Sequence, residues 1–135
     1  MRYNLGADFN MPDYSQYIEN ILKKNKKEKK EKQILFKKLH KEALIAAEQL
    51  GKKFQLEKVY IFGSLTDENK FHKYSDIDFA VTGLKSEEYL AAWGELEKLL
   101  DHPFDLVRLE KAHKSLKEVI REDGVLLYES GRDQC

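Results

Sequence analysis

The sequence predicts an α+β fold: a small mixed β-sheet flanked by helices. Three observations lead there. Apolar residues recur at helical spacing in some segments and as short continuous or alternating runs in others. The order that results is helix, strand, loop, strand, helix, strand, helix. Acidic residues interrupt two of the three short apolar runs, at Asp78 and Asp105, where an uncompensated carboxylate is costly to bury.

The elements follow in order. Residues 1–12 show no periodicity and read as a loose tail. From Asp13, a suitable helix N-cap with Pro12 before it, Tyr14, Tyr17, Ile18, Ile21 and Leu22 recur at helical spacing. Residues 23–32, KKNKKEKKEK, hold seven lysines and two glutamates and no apolar stripe. That stretch is either a solvated bridging helix or a flexible linker. Leu35, Leu39, Ala43, Ala46 and Leu50 restore an apolar helical face, with Gly51 placed to stop the helix. A strand is expected at 58–62 and a second at about 77–82, closed by Gly83. Ser86 followed by Glu87 and Glu88 resembles a helix start. That helix runs to about Leu100, with Leu90, Trp93, Leu96, Leu99 and Leu100 inward. Phe104 to Leu109 form a third strand. A last helix begins near Lys114 and uses Leu116, Val119 and Ile120. The segment VLLYE, 125–129, reads as more helix after a break at Gly124. The chain therefore divides into an N-terminal tail, amphipathic helix and Lys-rich linker (1–32) and a main domain (33–135).

The chemistry concentrates in VYIFGSLTDENKFHKYSDIDFAV, residues 59–81. Side chains on a strand alternate between faces, so Asp76 and Asp78 point one way and Ile77 points into the core. Two carboxylates held side by side repel each other unless a cation lies between them. Hard oxygen ligands of this kind suit Mg²⁺, which takes one or two protein carboxylates and completes its shell with substrate phosphates. A Gly63-Ser64 turn after the preceding strand can present backbone N–H groups and a hydroxyl to a phosphate. Ser64 in that position is equally suited to cap the next turn. Asp105, inside HPFDLVRL (102–109), supplies a third carboxylate if its strand lies beside the second. Two metal ions held by three such acids can activate an attacking hydroxyl and stabilise a leaving pyrophosphate.

Gly63-Ser64, Asp76-Ile77-Asp78 and Asp105, in that order, resemble the signature of the polymerase-β-type nucleotidyltransferases. The short length and the wording SDIDFAV are most similar to the minimal nucleotidyltransferases, many of which are antitoxin partners of helical HEPN-domain proteins. The resemblance spans roughly residues 33–129 and implies the polymerase-β-like fold for the main domain. It implies that Gly63 and Ser64 contact the triphosphate, that Asp76 and Asp78 ligate two Mg²⁺ ions, and that Asp105 ligates the catalytic ion and helps deprotonate the acceptor hydroxyl. The implied reaction moves a nucleoside monophosphate, AMP from ATP, to a hydroxyl and releases pyrophosphate. The eleven residues 65–75 make a longer loop than the family usually has. Leu65-Thr66-Asp67-Glu68 stands where the family often carries a small residue, arginine and glycine. Lys70, His72 or Lys73 can take that arginine's place, and Lys73 is assigned to the nucleotide site.

Composition bounds the rest. At 135 residues, 41% hydrophobic and 36% charged, the chain reads as one highly charged soluble domain. No apolar run approaches the roughly 18 residues of a membrane span, and nothing at the N-terminus reads as a signal peptide. The single cysteine, Cys135, excludes an internal disulfide framework and a cysteine zinc cluster. A reducing cytoplasm is the expected compartment. Net charge is zero but split: residues 1–62 carry 14 Lys/Arg against 8 Asp/Glu, and residues 63–135 carry 10 against 16. The lysine run reads as a solvated face rather than a nucleic-acid contact. His40, His102 and His113 read as ordinary surface residues, and Trp93 as core.

Two functions follow from different classes. The first is metal-dependent adenylyl transfer to a hydroxyl. A chain with no second domain to shape a small-molecule pocket points to an acceptor on another macromolecule, and by resemblance that partner is a HEPN-like ribonuclease toxin silenced by the modification. The second is a binding protein that keeps the fold and neutralises its partner by covering it. Transfer to a small molecule, with a homo-oligomer completing the pocket, is a further alternative. The amphipathic helix at 14–22 is the expected docking element, for a second copy or for the helical partner.

Overall fold

Ten elements run along the structure, a computed structural model that describes residues 13–131. The expected tail at residues 1–12 lies outside the described residues, as does Cys135. The chain divides into two compact units, Met1–Glu31 and Lys32–Cys135.

In the first unit the described residues are helical from Ser15, at the start of α1 (Ser15–Phe54). The Ser15 N–H donates to the Asp13 carboxylate at 2.9 Å, so Asp13 satisfies one of the free amides of the first turn. The lysine run is helix rather than linker. Glu19 with Lys23 and Lys27 with Glu31 pair across one turn at 3.6 and 4.0 Å; such exposed pairs contribute about 0.3–0.5 kcal/mol each. Tyr14, Tyr17, Ile18, Ile21 and Leu22 are all exposed.

In the second unit the rest of α1 buries Leu39, Ala43, Ala46, Ala47 and Leu50, at the spacing that places them on one face. Gly51 does not end the helix. It is buried inside it, and a Cβ there would meet the Tyr128 ring at 2.4 Å. The helix ends one turn later. Gln55 takes a left-handed φ of 54°, and the Leu56 N–H returns to the Gly51 carbonyl at 2.9 Å, the hydrogen bond of a Schellman stop with a buried hydrophobic residue after it.

The sheet has the order β3-β2-β1-β4. Strand β1 (Lys58–Phe62) pairs antiparallel with β2 (Ile77–Thr82) and with β4 (Val125–Glu129), whereas β2 pairs parallel with β3 (Phe104–Arg108). A parallel neighbour needs a crossover, and α2 (Tyr89–Leu99) supplies it after a short 3₁₀ turn at Ser86–Glu88. Val59 and Ile61 of β1 and Ile77, Phe79 and Val81 of β2 pack with Leu39, Leu50, Ala92, Leu96 and Leu106 into one core.

Three sequence expectations change here. VLLYE is a strand, not helix. Helix α3 (Lys114–Asp123) stops at Gly124, whose N–H donates to the Ile120 carbonyl at 2.8 Å, and the next residues find an open edge of β1. Leu90 is 82% exposed, because α2 faces the core with Tyr89, Ala92, Trp93 and Leu96 and so leaves Leu90 on the far side. In α3 only Ile120 is buried, and Val119 is exposed.

Candidate active site

The ends of β1, β2 and β3 meet in one row. Phe62 stands opposite Asp78, and Asp78 opposite Asp105. Alternation sends Ile77 and Phe79 into the core and leaves Asp78 on the other face, half-buried. Asp105 shares that face beside it and is exposed, and Asp76, one residue before β2, is exposed too.

The carboxylates feel one another. Burial first, then the charges of Asp105 and Asp76, push the Asp78 pKa from 3.8 up to about 6. Among the described residues neither Asp76 nor Asp78 makes a hydrogen bond or an ion pair. Asp105 is better placed, since its Oδ1 accepts from the Leu106 N–H at 2.9 Å. The acids do not close into a cage: among the described residues no group of three or more His, Cys, Asp or Glu side chains is drawn tightly enough to hold an ion alone. Such an open arrangement fits Mg²⁺, whose shell keeps places for water and substrate phosphate.

Gly63 begins a 3₁₀ turn over Gly63–Thr66, directly after the extended Phe62. Its φ of +75° suits glycine, and a Cβ there would lie 2.5 Å from Asp78 Oδ2. No other residue lets the turn pass so close to the carboxylate. Ser64 is half-buried beside it and caps nothing; Thr66 closes the turn instead, its hydroxyl donating to the Gly63 carbonyl at 2.7 Å. Lys73 is exposed in the loop, its ammonium 5.1 Å from the centre of the Tyr74 ring. Nothing among the described contacts links it to the carboxylates.

His113 is exposed, as the surface reading expects, whereas His40 and His102 are partly buried and depart from it. His40 Nε2–H donates to the Leu65 carbonyl and His102 Nε2–H to the Ser75 carbonyl, each at 2.5 Å, and both rings are partly buried. His113 caps α3, accepting from the Ser115 N–H at 3.1 Å. Tyr89 was also missed: its hydroxyl donates to the Leu106 carbonyl at 2.6 Å, and burial and then Asp105 raise its pKa. A bond from a side chain to a distant carbonyl leaves no sequence pattern, so only the fold reveals His40, His102 and Tyr89 in these roles.

The family described as "Polymerase beta, Nucleotidyltransferase" matches residues 45–133. The chain belongs to this family. No curated protein matches it significantly. Among solved structures it resembles a toxin–antitoxin crystal structure with AMP-PNP, at 29% identity over 68% of this chain and 76% of that one, with a TM-score of 0.54. A mutant of the MntA-HpeT toxin–antitoxin is similar at 27% identity over 63% and 71%, with a TM-score of 0.51. A protein from Sulfolobus solfataricus provisionally assigned as a nucleotidyltransferase is similar at 25% identity over 78% and 90%, with a TM-score of 0.50. The polymerase-β-like fold expected from the GS and DxD residues is thus the fold of this chain. Its described helices include none long and apolar enough to cross a membrane.

Proposed function

We propose that this chain is a metal-dependent nucleotidyltransferase that moves AMP from ATP to a hydroxyl of a helical HEPN-type partner and so silences a toxin. The observation that carries the proposal is the row formed by Gly63, Asp78 and Asp105, with Asp76 beside it and the Asp78 pKa raised to about 6. A half-buried carboxylate whose pKa is raised by burial and by two neighbouring carboxylates marks a place where a cation is wanted. The similarity to a toxin–antitoxin structure with AMP-PNP supports both the nucleotide and the kind of partner.

Mg²⁺, when bound, would neutralise the triphosphate and stabilise the departing pyrophosphate. Asp76 and Asp78 would hold two such ions from one strand end. Asp105, more exposed and therefore nearer the acceptor, would ligate the catalytic ion and take the acceptor's proton. Gly63 and the Ser64 hydroxyl would receive phosphate oxygens at the turn, and Lys73 would swing from Tyr74 to meet the triphosphate. The attacking oxygen forms its bond to the α-phosphorus as the bond to the β-phosphate oxygen breaks.

A second reading is favoured by Lys73 lying over Tyr74: a binding protein that neutralises its partner without chemistry. Melting the protein with ATP, with and without Mg²⁺, separates the two. Catalysis predicts a Mg²⁺-dependent rise in Tm, since saturation at a hundred times Kd adds about 2.7 kcal/mol. That rise is absent from Asp76→Asn/Asp78→Asn. A wild-type protein indifferent to ATP and Mg²⁺ supports binding alone.

A further inference from the structure

The loop from Leu65 to Ser75 joins Ser64 to Asp76, and a histidine from outside holds each of its ends. His40, on α1, donates to the Leu65 carbonyl; His102, just before β3, donates to the Ser75 carbonyl. A carbonyl held in place fixes the plane of its peptide unit. The Ser75–Asp76 peptide sets the direction in which Asp76 leaves the backbone, and the Leu65–Thr66 peptide closes the turn that presents Ser64.

The loop between the two clamps is braced as well. Asp67 accepts from the Asn69 N–H through its carboxylate and from the Lys70 and Phe71 N–H groups through its carbonyl, at 2.9 to 3.1 Å. Phe71 is 1% exposed and meets Phe36 edge-on at 5.3 Å, and Phe36 lies 4.7 Å from the His40 ring. Ser75, also buried, accepts from the His72 N–H and donates its own N–H to the His72 carbonyl.

We propose that His40 and His102 are positioning residues that fix the separation of Ser64 and Asp76, so that phosphate contact and metal ligand meet the same nucleotide. Eleven residues separate the two; the loop's own bonds brace its interior, and the two histidines hold the carbonyls at its ends. The proposal rests on the nucleotide-site reading above. Both rings act as N–H donors to backbone carbonyls here.

Four variants of the full chain test it. His40→Phe and His102→Phe keep a ring but lose the donor; His40→Gln and His102→Gln keep an N–H at similar reach. The readouts are the affinity for AMP-PNP with Mg²⁺, amide hydrogen exchange across residues 65–75, and Tm. The expected result is a loss of about tenfold in affinity for each Phe variant, with faster exchange in the loop and a retained folding transition. The Gln variants stay close to wild type in both. Folded Phe variants with wild-type affinity and wild-type loop exchange overturn the proposal. Should the Phe variants fail to fold, the Gln pair decides: wild-type loop exchange supports the clamp, and accelerated exchange overturns it. A wild-type protein that does not bind AMP-PNP sinks the nucleotide reading instead, and loop exchange still judges the clamps.

Discussion

Asp78 carries the most informative single charge in the molecule. Its folded pKa, about 6, lies above the ordinary 3.8. Between those values the folded chain holds a proton that the unfolded chain has released. The resulting stability is fully present below about pH 3.8 and is lost as pH rises through about 6. Asp78→Asn removes the penalty of ionisation. With the group half exposed, solvent screening cuts the gain to about 1 kcal/mol at pH 7. Melting curves should show the variant above wild type at pH 7 and level with it near pH 4. Gly63→Ala acts oppositely, forcing a Cβ into a left-handed residue and against the Asp78 carboxylate. A cost of about 1–3 kcal/mol and loss of Mg²⁺-dependent ATP binding are expected, measured by urea unfolding and by titration. The acids and the Gly-Ser turn were legible because strand alternation and a short motif announce them. His40 and His102 were not, because each acts on a carbonyl 25 or 27 residues away.

At the scale of elements, period told helix from strand wherever the run was long. The α1 face from Leu39 to Leu50 and the strands β1 to β3 lie where spacing put them. Each departure has its own cause. VLLYE is too short for periodicity to decide, and the free edge of β1 decided it. Hydrophobicity alone places Leu90 inward, but the phase of α2 turns it to solvent. Gly51 read as a stop because glycine usually ends helices, yet here the Tyr128 ring requires it. Gly51→Ala therefore sets a helix gain of roughly 1 kcal/mol against overpacking of about 1–3 kcal/mol. The net effect expected is a lower Tm with the helical signal intact, readable by circular dichroism.

For the whole molecule, charge and apolar exposure divide along the chain. Lysines crowd the residues before the sheet, and 16 of the 24 acids lie after β1. The face of Tyr14, Tyr17, Ile18, Ile21 and Leu22 is exposed in a helix that packing would ordinarily have to stabilise. Under the proposed function this face docks on the partner. Deleting residues 1–32 should then abolish partner binding while Mg²⁺-dependent stabilisation by ATP persists; an unchanged complex on size exclusion would rule the docking role out. Adenylyl transfer to a protein hydroxyl adds a fixed mass to the acceptor, which intact-mass spectrometry reads. The chain and any co-purifying protein are incubated with ATP and Mg²⁺, with Asp76→Asn/Asp78→Asn alongside. Adenylyl transfer gives a gain of one or more AMP units on the partner, absent with the variant. No gain on any protein, with the partner still held, would contradict it.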